Sequence, residues 1–281
     1  SLDPYINLQL QYWGVNGSVL ASQWQGLTPV PPLAWSEELY ASAHDHNRAM
    51  LTHDGQQHQF PGEADPGQRM RDAGYDWQRW GENIYAYPRS TLETHGGFVI
   101  DWGAGPSGIQ DPPNHRIRLL KEEFVHIGAA IDDVGYDAAR SVGPLIVTQD
   151  LATPRIATSA YVVGAVFKQK DGSPWYVSGS GYGSVNIVFE GAAGTFETTS
   201  MKAGGYQVQL PPGTYRGRAT GGNLPVPLVS GELVVGSENV AVDFVYPVDR
   251  GRVPVATNDA YVTDLMTART LNVLANDRDS D

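Results

Sequence analysis

Near residue 154 the spacing of apolar residues changes from helical to extended, so one layer type cannot run through the whole chain. Upstream, Ser36 is placed to cap a helix whose first turn carries Glu37 and Glu38, favourable at the positive end of its dipole. Leu39, Ala43, His46 and Met50 recur at helical spacing and make one face of it. Asp65-Pro66-Gly67-Gln68 reads as an N-cap, a first-position proline and a capping-box partner, with Gly74 as the stop. Ser90-Thr91-Leu92-Glu93 reads as a second capping box, opening a helix with Leu92, His95, Val99 and Trp102 on one side. Asp111-Pro112 predicts a short helix carrying Ile117, Leu120 and Phe124. Strands are predicted over 125–131 and 145–151. Together these elements predict a layered α+β domain over residues 1–154.

Downstream the period is two. Val185, Ile187 and Phe189 alternate with polar neighbours, as do Tyr206, Val208 and Leu210, and then Val240, Val242 and Phe244. Turn signals such as Asp171-Gly172 and Pro211-Pro212-Gly213 separate the runs. The pattern predicts an all-β antiparallel sandwich over residues 155–247. Residues 248–281 read as a linker and the first strand of a further repeat, too short to build a core. The chain starts at Ser1 and stops inside a patterned segment, so it is read as part of a longer protein.

Composition removes several functions. Its 31 acidic and 19 basic residues give a net charge of −12, which repels phosphate, and Lys and Arg clusters are short; nucleic acid is not an expected partner. With no cysteine, disulfides, Cys-zinc sites and cysteine nucleophiles are excluded. No run approaches the ~18 apolar residues of a transmembrane segment. The signatures HExxH, GxSxG and GxxxxGK[ST] are absent. Gly179, Gly181 and Gly183 precede a strand and read as a turn, not a phosphate cradle. Asn16-Gly17-Ser18 matches the glycosylation acceptor pattern.

All seven histidines, His44, His46, His53, His58, His95, His115 and His126, lie in the first 126 residues. Taken singly, His46 and His95 read as hydrogen-bonded residues on apolar helix faces, and no pair has the short spacing of a common zinc motif. Their order along the chain says more. Leu33-Ala34-Trp35-Ser36, Leu39, Ala43, His46 and Met50 are followed by His58, Arg69 and Ala73-Gly74-Tyr75. Gly81-Glu82-Asn83-Ile84, Trp102, His115-Arg116, Phe124, Ile127-Gly128 and Val147-Thr148-Gln149 come next.

This series closely resembles the CAP superfamily (cysteine-rich secretory proteins, antigen 5, pathogenesis-related 1) in its bacterial, cysteine-free form, over about residues 1–153. The resemblance implies a three-layer α-β-α sandwich around a cleft where two His and two acidic residues converge, often on a divalent cation. It assigns His58 and His115 to the two histidines and Glu82 to one acid. The second acid is missing after Trp102, and Asp101, His95 and Asp111 all remain open as its substitute. Two imidazoles and a carboxylate suit zinc. A His115 in the first turn of a helix is favoured as a neutral ligand by the dipole.

The second region resembles a carboxypeptidase-regulatory or transthyretin-like β-sandwich, through Gly164-Ala165-Val166, Ser184-Val185-Asn186-Ile187 and Gly205-Tyr206 to Gly213-Thr214-Tyr215. The tail, from Pro254-Val255-Ala256 to Asn276-Asp277-Arg278-Asp279, resembles the start of a cadherin-like tandem repeat; such repeats bind calcium between modules. The resemblance implies a secreted or surface-displayed bacterial binding module, multidomain, whose partner is an extracellular lipid or cell-surface component. One alternative is a metal-assisted hydrolase using Glu82 with His58 and His115. Another is a structural or adhesive module of a larger extracellular protein. The cation site is expected to stay with residues 1–154, while Pro154 stiffens the junction and the second region acts as a spacer.

Overall fold

The computed structural model describes residues 3–170, 173 and 175–247. The linker and repeat expected over 248–281 lie outside the described residues.

Two helices that the apolar pattern does not announce open the chain: α1 (Pro4–Trp13) and α2 (Gly17–Gln25). Neither contains a buried residue, so no periodic apolar face marks them. Their caps define them instead. Asp3 accepts from the Tyr5 amide before Pro4, and Asn16 accepts from the Ser18 and Val19 amides. The Asn16-Gly17-Ser18 motif is thus a helix start.

The first sheet has the order β1 (Ala34–Trp35), β3 (His126–Asp133), β4 (Leu145–Pro154), β2 (Trp77–Tyr85). β4 runs antiparallel to both of its neighbours, and β1 is parallel to β3. Helix α3 (Glu37–His53), capped by Ser36, lies against β3 and β4. It comes so close that a Cβ on Gly128 would stand 2.0 Å from the Tyr40 amide nitrogen. Alternate residues of β4 meet this helix: the Thr148 hydroxyl donates to Asn47 at 2.7 Å, and Ile146 joins Met50, Phe60 and Ile84 in one apolar cluster. Helix α4 (Pro66–Asp72) packs on β2. Helices α5 (Thr91–Ile100) and α6 (Asn114–Leu119) meet β2 through its intervening residues, Asn83 and Tyr85.

The expected starts of α3, α4 and α5 are present, with three differences of detail. Glu93 reaches back to the Arg89 amide, not to that of Ser90, and Gln68 turns to Asp72, so neither capping box closes. Helix α5 buries Glu93, Thr94, Gly97, Phe98 and Ile100, while Leu92 is exposed; its small Gly97 lets the Tyr85 ring approach. Helix α6 begins at Asn114 and ends before Leu120 and Phe124.

The strands β5 (Tyr161–Lys168) to β12 (Phe244–Tyr246) make up the second half. One sheet, β10 (Leu228–Val235), β9 (Gly213–Thr220), β6 (Asn186–Gly191), β7 (Gly194–Thr199), is antiparallel throughout. The other departs from the expected pattern, because β11 (Val240–Ala241) and β12 both run parallel to β5, with only β8 (Gly205–Gln209) antiparallel to it. Val162, Val166, Ile187, Phe189, Leu210 and Phe244 belong to one buried cluster.

Two amides join the halves. Gln207 accepts from the Trp35 amide at 2.7 Å and donates to the Trp35 carbonyl at 3.2 Å. Asn239 donates to the Pro32 and Val125 carbonyls, both at 2.9 Å, while accepting from the Tyr161 amide.

Candidate functional site: a cleft beside two histidine–carboxylate pairs

The Gly81-Glu82-Asn83-Ile84 segment lies in β2, so Glu82 and Asn83 point to opposite faces of the sheet. On one face Glu82, 2% exposed, accepts from two partners. His58 Nδ1 lies 2.7 Å from its Oε1, and the Arg69 guanidinium holds its Oε2. Arg69 also pairs with Glu63 at 3.2 Å, and Glu63 in turn meets His46 Nδ1 at 2.7 Å. A continuous polar chain, His46–Glu63–Arg69–Glu82–His58, runs from the inner face of α3 to the surface, where the His58 side chain is 49% exposed. His46 is thus the hydrogen-bonded helix-face residue expected. Burial opposes ionisation of Glu82, but the His58 bond and the Arg69 charge outweigh it and hold the carboxyl below its usual range.

Asp150 stands directly across from Glu82 on β4. It is fully buried, and no donor meets either of its carboxyl oxygens in hydrogen-bonding geometry. Burial, reinforced by the Glu82 charge, pushes its carboxyl well above the usual range. Sequence reasoning missed this residue; the signal was the one acid inside the largely apolar run of β4.

On the other face Asn83 donates to the His115 carbonyl at 3.3 Å, tying α6 to the strand. His115 Nδ1 lies 2.7 Å from Asp101 Oδ1, and Asp101 Oδ2 accepts from the His115 and Arg116 amides. Asp101 caps α5 in the left-handed region, at φ 60°, a conformation that Asp tolerates better than most residues. Of the three acids or bases open as the missing partner, the structure sets Asp101 against His115. His95 is exposed on α5 and makes no hydrogen bond to His115. Asp111 lines the cleft without touching His115 in hydrogen-bonding geometry.

The expected ligand trio of His58, Glu82 and His115 is therefore not brought together as a ligand set. Both Glu82 oxygens are engaged by His58 and Arg69, and His115 is paired with Asp101. Among the described residues no group of three or more His, Cys, Asp or Glu side chains is arranged to hold a metal ion. The residues present do not fit a zinc centre. Nor is Glu82 placed as a general base, being enclosed and committed to its partners. Each carboxylate instead fixes a histidine through Nδ1 and leaves Nε2 for the cleft or solvent.

His115 and Phe98 form part of the wall of a cavity of about 780 Å³. Ile84, Tyr85 and Trp102 continue the wall, and α1 closes it with Gln9, Tyr12 and Trp13. Burial, and then the charge of Glu93, push the Tyr85 phenol up to about 12, so it remains a hydroxyl at neutral pH. No described helix is long and apolar enough to cross a membrane.

Residues 26–151 match the family model described as CAP, the cysteine-rich secretory protein family. Among solved structures, an extracellular protein containing an SCP domain from Bacillus anthracis is 19% identical, with a TM-score of 0.35, over 53% of this chain and 40% of its own. The chain thus spans well under half the length of that protein. An outer surface protein of Borrelia burgdorferi is 13% identical over 49% of this chain and 89% of its own, with a TM-score of 0.34. Venom allergen-like protein 4 of Schistosoma mansoni is 11% identical over 54% of this chain and 88% of its own, at 0.30. No curated protein matches the chain in sequence.

Proposed function

We propose that the chain is a secreted or surface-displayed binding module, with helices on both faces of its first sheet in the three-layer manner of the CAP fold. Its ligand occupies the cleft beside His115. The observation that carries this reading is the cavity itself. Its volume of about 780 Å³ falls within the roughly 300–1,000 Å³ of small-ligand sites. A rigidly oriented histidine and several aromatic rings line it. The family description, of secretory proteins, supports an extracellular location. The second half, without histidine, serves as a spacer.

Thermal shift against palmitate, cholesterol-containing vesicles and neutral oligosaccharides tests the reading, because a ligand that binds only the folded chain raises its Tm. At least one of them is expected to raise the Tm of the wild type and to shift Phe98→Ala less. If none moves the wild type, the cleft is not a binding site.

A second reading has one observation in its favour: His58, half-exposed and held through Nδ1 by a buried carboxylate, has the geometry of an oriented general base. Ester and peptide panels decide it. Turnover that disappears in His58→Ala supports a hydrolase, and equal turnover in both proteins ends that reading.

A further inference from the structure

The geometry points to an uncharged oligosaccharide as the ligand of this cleft, held in a tyrosine-lined groove that α1 adds to the CAP domain. The inference rests on the reading of the chain as a binding module and names the ligand class.

The cleft does not end at Tyr12. A second cavity of about 720 Å³ shares Gln9, Tyr12 and Tyr87 with the first and extends past Tyr5 to Tyr136. The two together exceed an ordinary small-ligand pocket, so the shape is that of a groove for a chain-like ligand. Tyr12, Tyr87 and Tyr136 are 79%, 45% and 86% exposed, so their rings stand at the surface of the groove. Among the described residues, Leu8 and Ile84 are the only branched aliphatic side chains in the lining. An acyl chain or a sterol is best served by a continuous aliphatic wall. Separated aromatic rings suit a sugar, whose axial C–H groups lie on the negative face of the ring while its hydroxyls stay outward.

The polar groups agree. Gln56 accepts from the Ala86 amide at 2.8 Å through Oε1, which leaves its NH₂ as a donor. Gln9 donates to Glu93 at 2.9 Å through Nε2, which leaves its carbonyl as an acceptor. His115, held through Nδ1 by Asp101, keeps Nε2 for a hydroxyl partner. Each is fixed at one end, so the groove presents preset donors and acceptors of the kind that sort hydroxyl patterns. Charge narrows the class further. Arg89, the cation in the lining, is engaged by Glu93 at 2.8 Å and lies over the Tyr5 ring, while Asp111 adds a negative charge. A sulfated or phosphorylated ligand finds no partner here; a neutral one meets no penalty.

The wall that completes the groove lies before residue 26, where the family match begins. Helix α1 is pinned at both ends. Asp3 accepts from the Ser90 hydroxyl at 2.7 Å, and the Asn16 amide donates to the Ser107 carbonyl at 2.9 Å. Gly108, at φ +69°, lies so close to the end of α1 that a Cβ there would stand 2.4 Å from the Trp13 carbonyl oxygen.

Calorimetry and tryptophan fluorescence on the full chain test this, with cellohexaose, maltohexaose and chitohexaose as probes and palmitate as the contrast. At least one hexasaccharide is expected to bind saturably. Tyr12→Ala, at an exposed position that leaves the core untouched, is expected to weaken it at least tenfold, or about 1.4 kcal/mol. Tyr136→Ala is expected to weaken a hexasaccharide more than the corresponding trisaccharide, because it removes only the far end of the groove. Palmitate binding that is sensitive to Tyr12→Ala, with no hexasaccharide bound, overturns the ligand class but leaves the binding module standing. Saccharide binding indifferent to both substitutions overturns the groove. Failure of every probe overturns the inference; the proposed function falls with it only if cholesterol-containing vesicles also leave the Tm unmoved.

Discussion

Asp150 and Glu82 face each other across two strands, but burial and neighbouring charges push them in opposite directions. In the folded chain Asp150 keeps a proton that the unfolded chain releases above about pH 4. Its contribution to stability therefore falls as pH rises from there toward the raised folded value. Asp150→Asn removes that penalty and is expected to leave the Tm at pH 7 unchanged or raised, with a flatter profile above pH 4. Glu82→Gln removes one of the two anions on the buried Arg69, leaving Glu63, and is expected to cost about 2–3 kcal/mol. Urea unfolding from pH 4 to 8 separates the two; an Asp150→Asn variant as unstable as Glu82→Gln would show a charged Asp150. The buried His126 acts with the other sign. Burial pushes its imidazole down, so its contribution is complete above about pH 6.5 and is lost as pH falls below it. His58, Glu82 and His115 were singled out by the order of motifs, but their pairing with Arg69 and Asp101 was not legible. Asp101 reaches His115 through a left-handed helix end, and nothing in linear spacing reports that geometry.

Elements were readable to the extent that their signals are local. Helices α3, α4 and α5 begin where Ser36, Asp65 and Ser90 predict, since a cap involves residues two or three apart. Strand β2 was missed because Gly81, Glu82, Asn83 and Ile84 are all buried, one pair on each face, and no alternation survives. Helices α1 and α2 were missed for the opposite reason, having no buried face at all. Ser90 links the two kinds of element. Its hydroxyl accepts from the Glu93 amide and donates to Asp3, the cap of α1. Ser90→Ala is expected to cost about 1–2 kcal/mol in unfolding free energy. Hydrogen exchange should localise much of the loss to residues 4–13; protection there equal to the wild type would mean that α1 is held by its other contacts alone.

At the scale of the whole molecule, the change of period near residue 154 was visible in sequence, while the contact between the halves was not. Beside the edge-on rings of His126 and Tyr161, it rests on the side-chain amides of Gln207 and Asn239, polar residues within turn-rich strand sequence that look solvent-directed until the fold is known. The mixed direction of the β5 sheet was equally hidden, because alternation reports which face a residue occupies and says nothing of strand polarity. Replacing both amides by alanine removes four bonds between the halves, each of about 1 kcal/mol. Calorimetry is expected to resolve two transitions in the double variant where the wild type shows closer coupling. An unchanged trace would mean that the junction at Arg155, tied back to Asp76, suffices.

The parallel pairing of β12 with β5 matters when the second half is pulled from both ends. The chain enters the second half along β5 and leaves it along β12 in the same direction, with Phe244, Val245 and Tyr246 in register with Val166, Phe167 and Lys168. Tension between these ends acts along the strands, so the rungs share the load in shear instead of opening one after another. A pulling force would therefore meet its strongest resistance where the chain leaves the second half.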